Sequence, residues 1–217
     1  MRQSAVSFKV KAKPKDLNIE GIIAQPEEET GLFPAVVICH PHPLFGGNMD
    51  NNVVFAVSAA LVDQGFATLR FNFRGVGNSE GTHTKGELEH QEVLAAIDLI
   101  KAWPKVDRRT IGLVGYSFGS SVILAYTGFS RAAKVFAFIS PPLHALESTP
   151  LKTNKRPKLV IVGDRDRLVQ SAQLPIVLQS FTQTPVSQII AGADHGWSGY
   201  EDQLSEQVAQ FFVASLK

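Results

Sequence analysis

Short apolar runs alternate along the chain with longer stretches in which apolar residues recur at spacings of three and four. SAVSFKVKA at 4–12 alternates apolar and polar positions as a half-buried strand does, and EGIIAQP at 20–26 reads as its antiparallel neighbour. PAVVICH, FATLRFNF, TIGLVGY, KVFAFIS, KLVIVGD and VSQIIAG are almost continuously apolar. That is the pattern of strands covered on both faces. Segments of helical period lie near 50–64, 86–103, 117–128, 171–182 and 200–216. This order predicts an α/β fold: a mostly parallel eight-stranded sheet with helices on both faces and an antiparallel start. No repeat, low-complexity tract or linker interrupts it, so one domain over 1–217 is expected.

Composition narrows the classes of function. A chain of 217 residues with 44% hydrophobic and 19% charged content can bury roughly 70% of its unfolded surface in one core. The formal net charge is +1, with Lys and Arg scattered, so no basic stripe offers itself to a phosphate backbone. No stretch approaches 18 uninterrupted apolar residues, and MRQSAVSFKVKAKPK holds no apolar core of signal-peptide length. The expectation is a cytoplasmic protein with no nucleic-acid or membrane partner; self-association is left open. The single cysteine, Cys39, has no internal partner, which suits a reducing compartment.

In a parallel α/β sheet, chemistry sits at the carboxyl ends of the strands. There, between TIGLV and SVILAYTG, lies Gly115-Tyr116-Ser117-Phe118-Gly119. A G-x-S-x-G turn between strand and helix lifts a serine hydroxyl out of a strained backbone, while the glycines let neighbouring chain pass. The helix start that follows favours a developing negative charge. A serine nucleophile needs a base, and the base needs an orienting acid. Asp164 and Asp166 follow KLVIVG, and His195 follows VSQIIAG, all on the same sheet edge as Ser117. The chain order Ser, Asp, His is that of α/β-hydrolase triads. Either aspartate can serve at this point, the other being a turn residue.

The loop HPHPLFGG after the third strand poses a second question. His40 and His42 read as H-x-H, yet catalytic zinc wants three protein ligands, and no H-E-x-x-H or Cys cluster is present. No metal is expected, and His40 is expected to brace the loop by hydrogen bonding. Pro41 and Pro43 have no N–H. The loop's donors are therefore His42, Leu44, Phe45 and the glycines. Gly75-Val76-Gly77-Asn78-Ser79-Glu80-Gly81 hints at a dinucleotide turn, but its third glycine is one place late and no acidic residue closes a following strand, so no nicotinamide cofactor is expected.

HPHPLFGG, RFNFRGVGNSEG, GYSFG, VGDRD and GADHGW together resemble the α/β-hydrolase superfamily, and within it the small lidless bacterial members related to dienelactone hydrolases and carboxylesterases. The resemblance covers nearly all of residues 30–200. It implies an α/β-hydrolase fold and a serine hydrolase that cleaves carboxylic esters of small, short-acyl substrates through an acyl-enzyme, with no cofactor. Its G-x-x-D turn maps the acid onto Asp166, counted from Gly163. Its oxyanion loop resembles Leu44-Phe45-Gly46, which implies backbone donors at Leu44 and Phe118. It implies that Arg74 braces backbone. Thioester, lactone or small-peptide hydrolysis would use the same triad, and a ligand-binding receptor with little turnover could use the same fold. Phe45, Trp197 and Tyr200 lie in or near the site loops as candidates for substrate contact. Only 141–157 joins the sixth and seventh strands, too few residues for a helical cap.

Overall fold

A computed structural model describes residues 1–27 and 31–217. β1 (Arg2–Val10) and β2 (Leu17–Gln25) form an antiparallel hairpin in register from Arg2 opposite Gln25 to Val10 opposite Leu17. Then follow β3 (Phe33–Cys39), α1 (Asn52–Asp63), β4 (Ala67–Phe71), α2 (His90–Ala102) and β5 (Val106–Tyr116). The second half runs α3 (Phe118–Ala125), α4 (Phe129–Ala132), β6 (Val135–Ile139), α5 (Leu143–Ser148), β7 (Lys158–Gly163), α6 (Leu174–Leu178), β8 (Val186–Ile190) and α7 (Glu201–Leu216). The eight strands form one sheet in the order β1-β2-β4-β3-β5-β6-β7-β8. β2 is antiparallel to both of its neighbours, and every pairing from β4 to β8 is parallel.

The alternation of side chains along each strand divides the core into two layers. Ala35, Val37 and Cys39 of β3 face one cluster with Val93, Ile97 and Ile100 of α2 and Val122 and Ile123 of α3. Val36 and Ile38 face the other, with Val53, Val57 and Leu61 of α1 and Leu204, Val208 and Phe212 of α7. Each large apolar side chain so enclosed contributes about 1.5–3 kcal/mol, which is why the central strands read as unbroken apolar runs.

Several boundaries differ from the sequence pattern, each for a local reason. β5 begins at Val106, because Phe33 N donates to Lys105 O at 2.6 Å and extends the ladder past a register shift between Phe33 and Ala35. The segment at 86–103 becomes helical only at His90. Lys85 and Gly86 take φ of 58° and 98°, and the Glu89 carboxylate accepts from Thr84 N and Gly86 N, closing a turn where a helix was expected. The 117–128 segment stops at Ala125 and α4 resumes at Phe129. The 171–182 segment is a 3₁₀ turn (Ser171–Gln173) followed by α6, with Pro175 in the first turn of the helix. Between β6 and β7 stand only α5 and a 3₁₀ turn at Pro150–Thr153, with no cap domain.

Candidate active site

Ser117 sits between β5 and α3 with φ 51° and ψ −107°, a left-handed backbone that a side-chain-bearing residue adopts only under tertiary constraint. The flanking glycines are dictated by contact. A Cβ on Gly119 would lie 2.3 Å from Cys39 O, and one on Gly115 would lie 2.5 Å from Ser120 N. Ser117 N donates to Ile139 O at 2.8 Å, and Ser120 Oγ donates to Gly115 O at 2.6 Å, which ties the elbow to two strands.

His195 follows β8 and brings its imidazole to the serine. Nε2 lies 3.0 Å from Ser117 Oγ, and Nδ1 lies 2.8 Å from Asp166 Oδ2. A proton on Nδ1, donated to the carboxylate, leaves the Nε2 lone pair facing the Ser117 hydroxyl. The Asp166 side chain has no exposed surface. Its other oxygen accepts from Leu168 N at 2.9 Å and Val169 N at 3.0 Å. Burial works to raise the carboxyl's pKa, but hydrogen bonding and charge attraction from His195, aided by Ser140 and Leu168 N–H, outweigh it and hold the group below the usual aspartate value. Asp164 has a different job. Its Oδ1 accepts from Gly192 N at 2.7 Å, clamping the β7 turn to the one after β8.

The HPHPLFGG loop differs from expectation in one assignment. Leu44 N–H donates to Nδ1 of His42 at 3.2 Å, and the Leu44 side chain is mostly exposed. Phe45 N and Gly47 N both donate to His42 O, at 3.0 and 3.1 Å, and Gly46 N donates to Pro43 O at 3.1 Å. Among the described residues, every N–H from Leu44 to Gly47 is thus consumed by the loop itself, and the Leu44 oxyanion assignment does not hold. Among the described residues, the N–H of His42 has no such acceptor, nor has that of Phe118 at the start of α3. The His42 ring packs 5.0 Å from that of Phe118, beside Ser117.

The two histidines of the loop have separate roles. His40 is fully buried. Its Nδ1 donates to Pro41 O at 2.6 Å and its Nε2 accepts from Phe73 N at 3.0 Å, so both nitrogens are spent on backbone. Burial, with a smaller push from His83 and against the pull of the Pro41 carbonyl, lowers its pKa to about 4. For His42 the pKa is also lowered, by burial first and then by His83, against the attraction of Glu89. That keeps Nδ1 free to accept from Leu44.

Ser117 opens onto a cleft of about 470 Å³ bordered by His42, Phe118, Val122, Ala125, Pro142 and His144 among others. A larger groove, about 1150 Å³, runs between the β1–β2 turn and the segment before α2, and touches neither Ser117 nor His195. The aromatic candidates fall in different places. Phe45 is 87% exposed, edge-on to His42 on the rim. Trp197 has no exposed surface, so it is not a substrate contact; its Nε1 donates to Ser140 Oγ at 3.1 Å, bracing the His195 turn against β6. Tyr200 packs on the α1/α7 layer with its hydroxyl over Gly192, away from the cleft. Arg74 is structural, its guanidinium held by Glu92, Gln91 Oε1 and Leu88 O at the start of α2. Tyr116, whose hydroxyl donates to His195 O, and Ser140 escaped the sequence reading. Only Tyr116's place beside Ser117 in the elbow could have flagged it.

The chain belongs to the alpha/beta hydrolase family: the model described as alpha/beta hydrolase domain matches residues 35–211. A solved alpha-beta serine hydrolase homologue from Coxiella burnetii is 29% identical, with a TM-score of 0.79, covering 94% of this chain and 96% of that one. A Xanthomonas campestris structure described as a serine hydrolase without lid is 24% identical, with a TM-score of 0.80, covering 100% of this chain and 97% of that one. An uncharacterised protein of Rickettsia prowazekii (strain Madrid E) is 29% identical over 188 residues, 83% of this chain and 79% of the relative. The fold is thus that of a lidless α/β-hydrolase, and family membership supports a hydrolytic activity.

Proposed function

We propose that this protein hydrolyses carboxylic esters of small, short-acyl substrates through an acyl-enzyme. The observation that carries the reading is the unbroken hydrogen-bonded line Ser117 Oγ, His195 Nε2, His195 Nδ1, Asp166 Oδ2, at 3.0 and 2.8 Å. Ser117 Oγ attacks the acyl carbon while Nε2 takes its proton, and the carbonyl oxygen becomes an oxyanion facing the N–H groups of Phe118 and His42. Collapse breaks the bond to the leaving oxygen, which receives the proton from Nε2. A water molecule then repeats the cycle on the acyl-enzyme and frees the acid and Ser117. Asp166 holds the imidazole in the working tautomer. No step calls for a cofactor.

With no cap over the 470 Å³ cleft, a long acyl chain would stay in water and forgo the ~0.8 kcal/mol that each buried methylene contributes. Short acyl groups are therefore the proposed substrates. The test is fluorophosphonate labelling together with turnover of esters of graded acyl length, beside thioester, lactone and amide analogues. Ser117→Ala should abolish labelling and lower kcat by roughly 10⁴ or more. Labelling that survives this change overturns the reading, and labelling without turnover of any analogue favours a receptor.

A further inference from the structure

Among the described residues, two arginines beside the proposed base have side chains that meet no partner. The turn after β7 reads Gly163-Asp164-Arg165-Asp166-Arg167, a sequence in which acid and guanidinium could neutralise each other. They do not. Asp164 accepts from Gly192 N, Asp166 from Leu168 N, Val169 N and His195, and Asp194 from Gly196 N and Trp197 N. Every nearby carboxylate is turned to backbone or to the imidazole. Among the described residues, no acceptor, ion-pair partner or ring meets the guanidinium of Arg165 or Arg167, and both residues are exposed. With Leu168, Asp194, His195 and Gly196 they border a recess of about 330 Å³.

The chemistry of the site says which half of a substrate this recess meets. Nε2 of His195 must hand its proton to the departing oxygen, so the leaving group lies against His195. The acyl half is covalently on Ser117 and belongs to the cleft lined by Phe118, Val122 and Ala125. A guanidinium is a fork of donors matched to carboxylate and phosphate oxygens. We infer that Arg165 and Arg167 form a leaving-group subsite for an anionic group, so that the favoured substrates are esters whose alcohol portion carries a carboxylate or phosphate. This inference rests on the ester-hydrolase reading above and narrows it.

The experiment compares two phenyl acetates that differ far from the reacting bond, one with a meta propionate arm and one with the neutral primary amide of that arm. At low ionic strength the wild-type ratio of kcat/KM, anionic over neutral, should be roughly tenfold or more, the size of a charge-assisted contact. The ratio should shrink as salt is added. In R165Q/R167Q it should fall close to one. A wild-type ratio near one, or a ratio that the double substitution leaves intact, overturns the inference while ester hydrolysis stands. If neither ester turns over and fluorophosphonate does not label Ser117, the hydrolase reading itself fails. The subsite is then judged by isothermal titration of 3-(3-hydroxyphenyl)propionate and its amide. Binding of the anion alone, lost in R165Q/R167Q, sustains it; equal or absent binding of both overturns it.

Discussion

The N–H of Leu44 points back into its own loop, 3.2 Å from Nδ1 of His42. That bond removes Leu44 from the donors available to a substrate and fixes the neutral tautomer of His42. Among the described residues, the loop's remaining N–H, that of His42, meets no backbone acceptor, and His42 borders the Ser117 cleft.

His42 has φ −63°, the angle that proline also adopts. His42→Pro therefore removes the N–H with little change to the backbone, while both His42→Pro and His42→Ala remove the imidazole and with it the acceptor of Leu44 N–H, so that the two variants differ in the N–H. His42→Ala should stay within roughly tenfold of wild-type kcat, whereas His42→Pro should lose a further 10² to 10³ or so, the usual cost of one oxyanion donor. Equal kinetics in the two variants, with matching circular dichroism, would place the second donor elsewhere.

The two aspartates of the β7 turn should separate cleanly. Asp166→Asn turns a proton-accepting oxygen into a donor toward Nδ1 and should cost about 10³ to 10⁴ in kcat. Asp164→Asn weakens a clamp on Gly192 N and should cost about 1 kcal/mol in stability with little change in kcat. Steady-state kinetics and urea unfolding of the pair decide it.

His40 should leave a mark on stability in acid. Its folded pKa, about 4, lies below the ordinary histidine value of 6.5, so the unfolded chain binds the extra proton first. Its contribution to stability is complete above about pH 6.5 and declines as pH falls toward 4, by up to ~1.4 kcal/mol per pH unit. Glu92 acts in the opposite sense: burial, aided by Glu89 and opposed by Arg74, raises its pKa to about 7. Its contribution is present below about pH 4.5 and is lost as pH rises to 7. The difference between wild type and His40→Gln in denaturant unfolding across pH 4–7 isolates the first effect. Parallel curves would refute it.

Arg74→Ala should strand the fully buried Glu92 carboxylate and destabilise the fold by about 3–5 kcal/mol, while replacing both partners with methionine should recover most of that. Urea unfolding at pH 7.5 measures both, and a mild Arg74→Ala would mean that Glu92 takes up a proton in compensation.

Much of this was determined by local order in the chain. Unbroken apolar runs such as KVFAFIS and KLVIVGD can only be satisfied by cover on both faces, so the parallel sheet and its two helical layers were legible as periodicity. Gly115 and Gly119 were legible too, because a strand-to-helix turn around Ser117 leaves no room for a Cβ. Placing Ser117 and His195 together needed only the rule that strand ends of one sheet share an edge; that rule left Asp164 and Asp166 equal, and Asp166 came from the resemblance of Gly163–Asp166 to the family's G-x-x-D turn. What tertiary structure alone decided is which groups have spare hydrogen-bonding capacity. Leu44 and His42 are equal as donors in sequence; a ring nitrogen folding back 3.2 Å onto one of them separates the two. Trp197 reads as a site aromatic until its indole is found buried against Ser140, joining residues 57 positions apart. Arg165 and Arg167 carried no reading in the sequence, and only the folded chain shows that Asp164 and Asp194 beside them are bonded to backbone. A hydrogen bond is a matter of tenths of an ångström and of angle, and neither is encoded in the spacing of residue types along a chain.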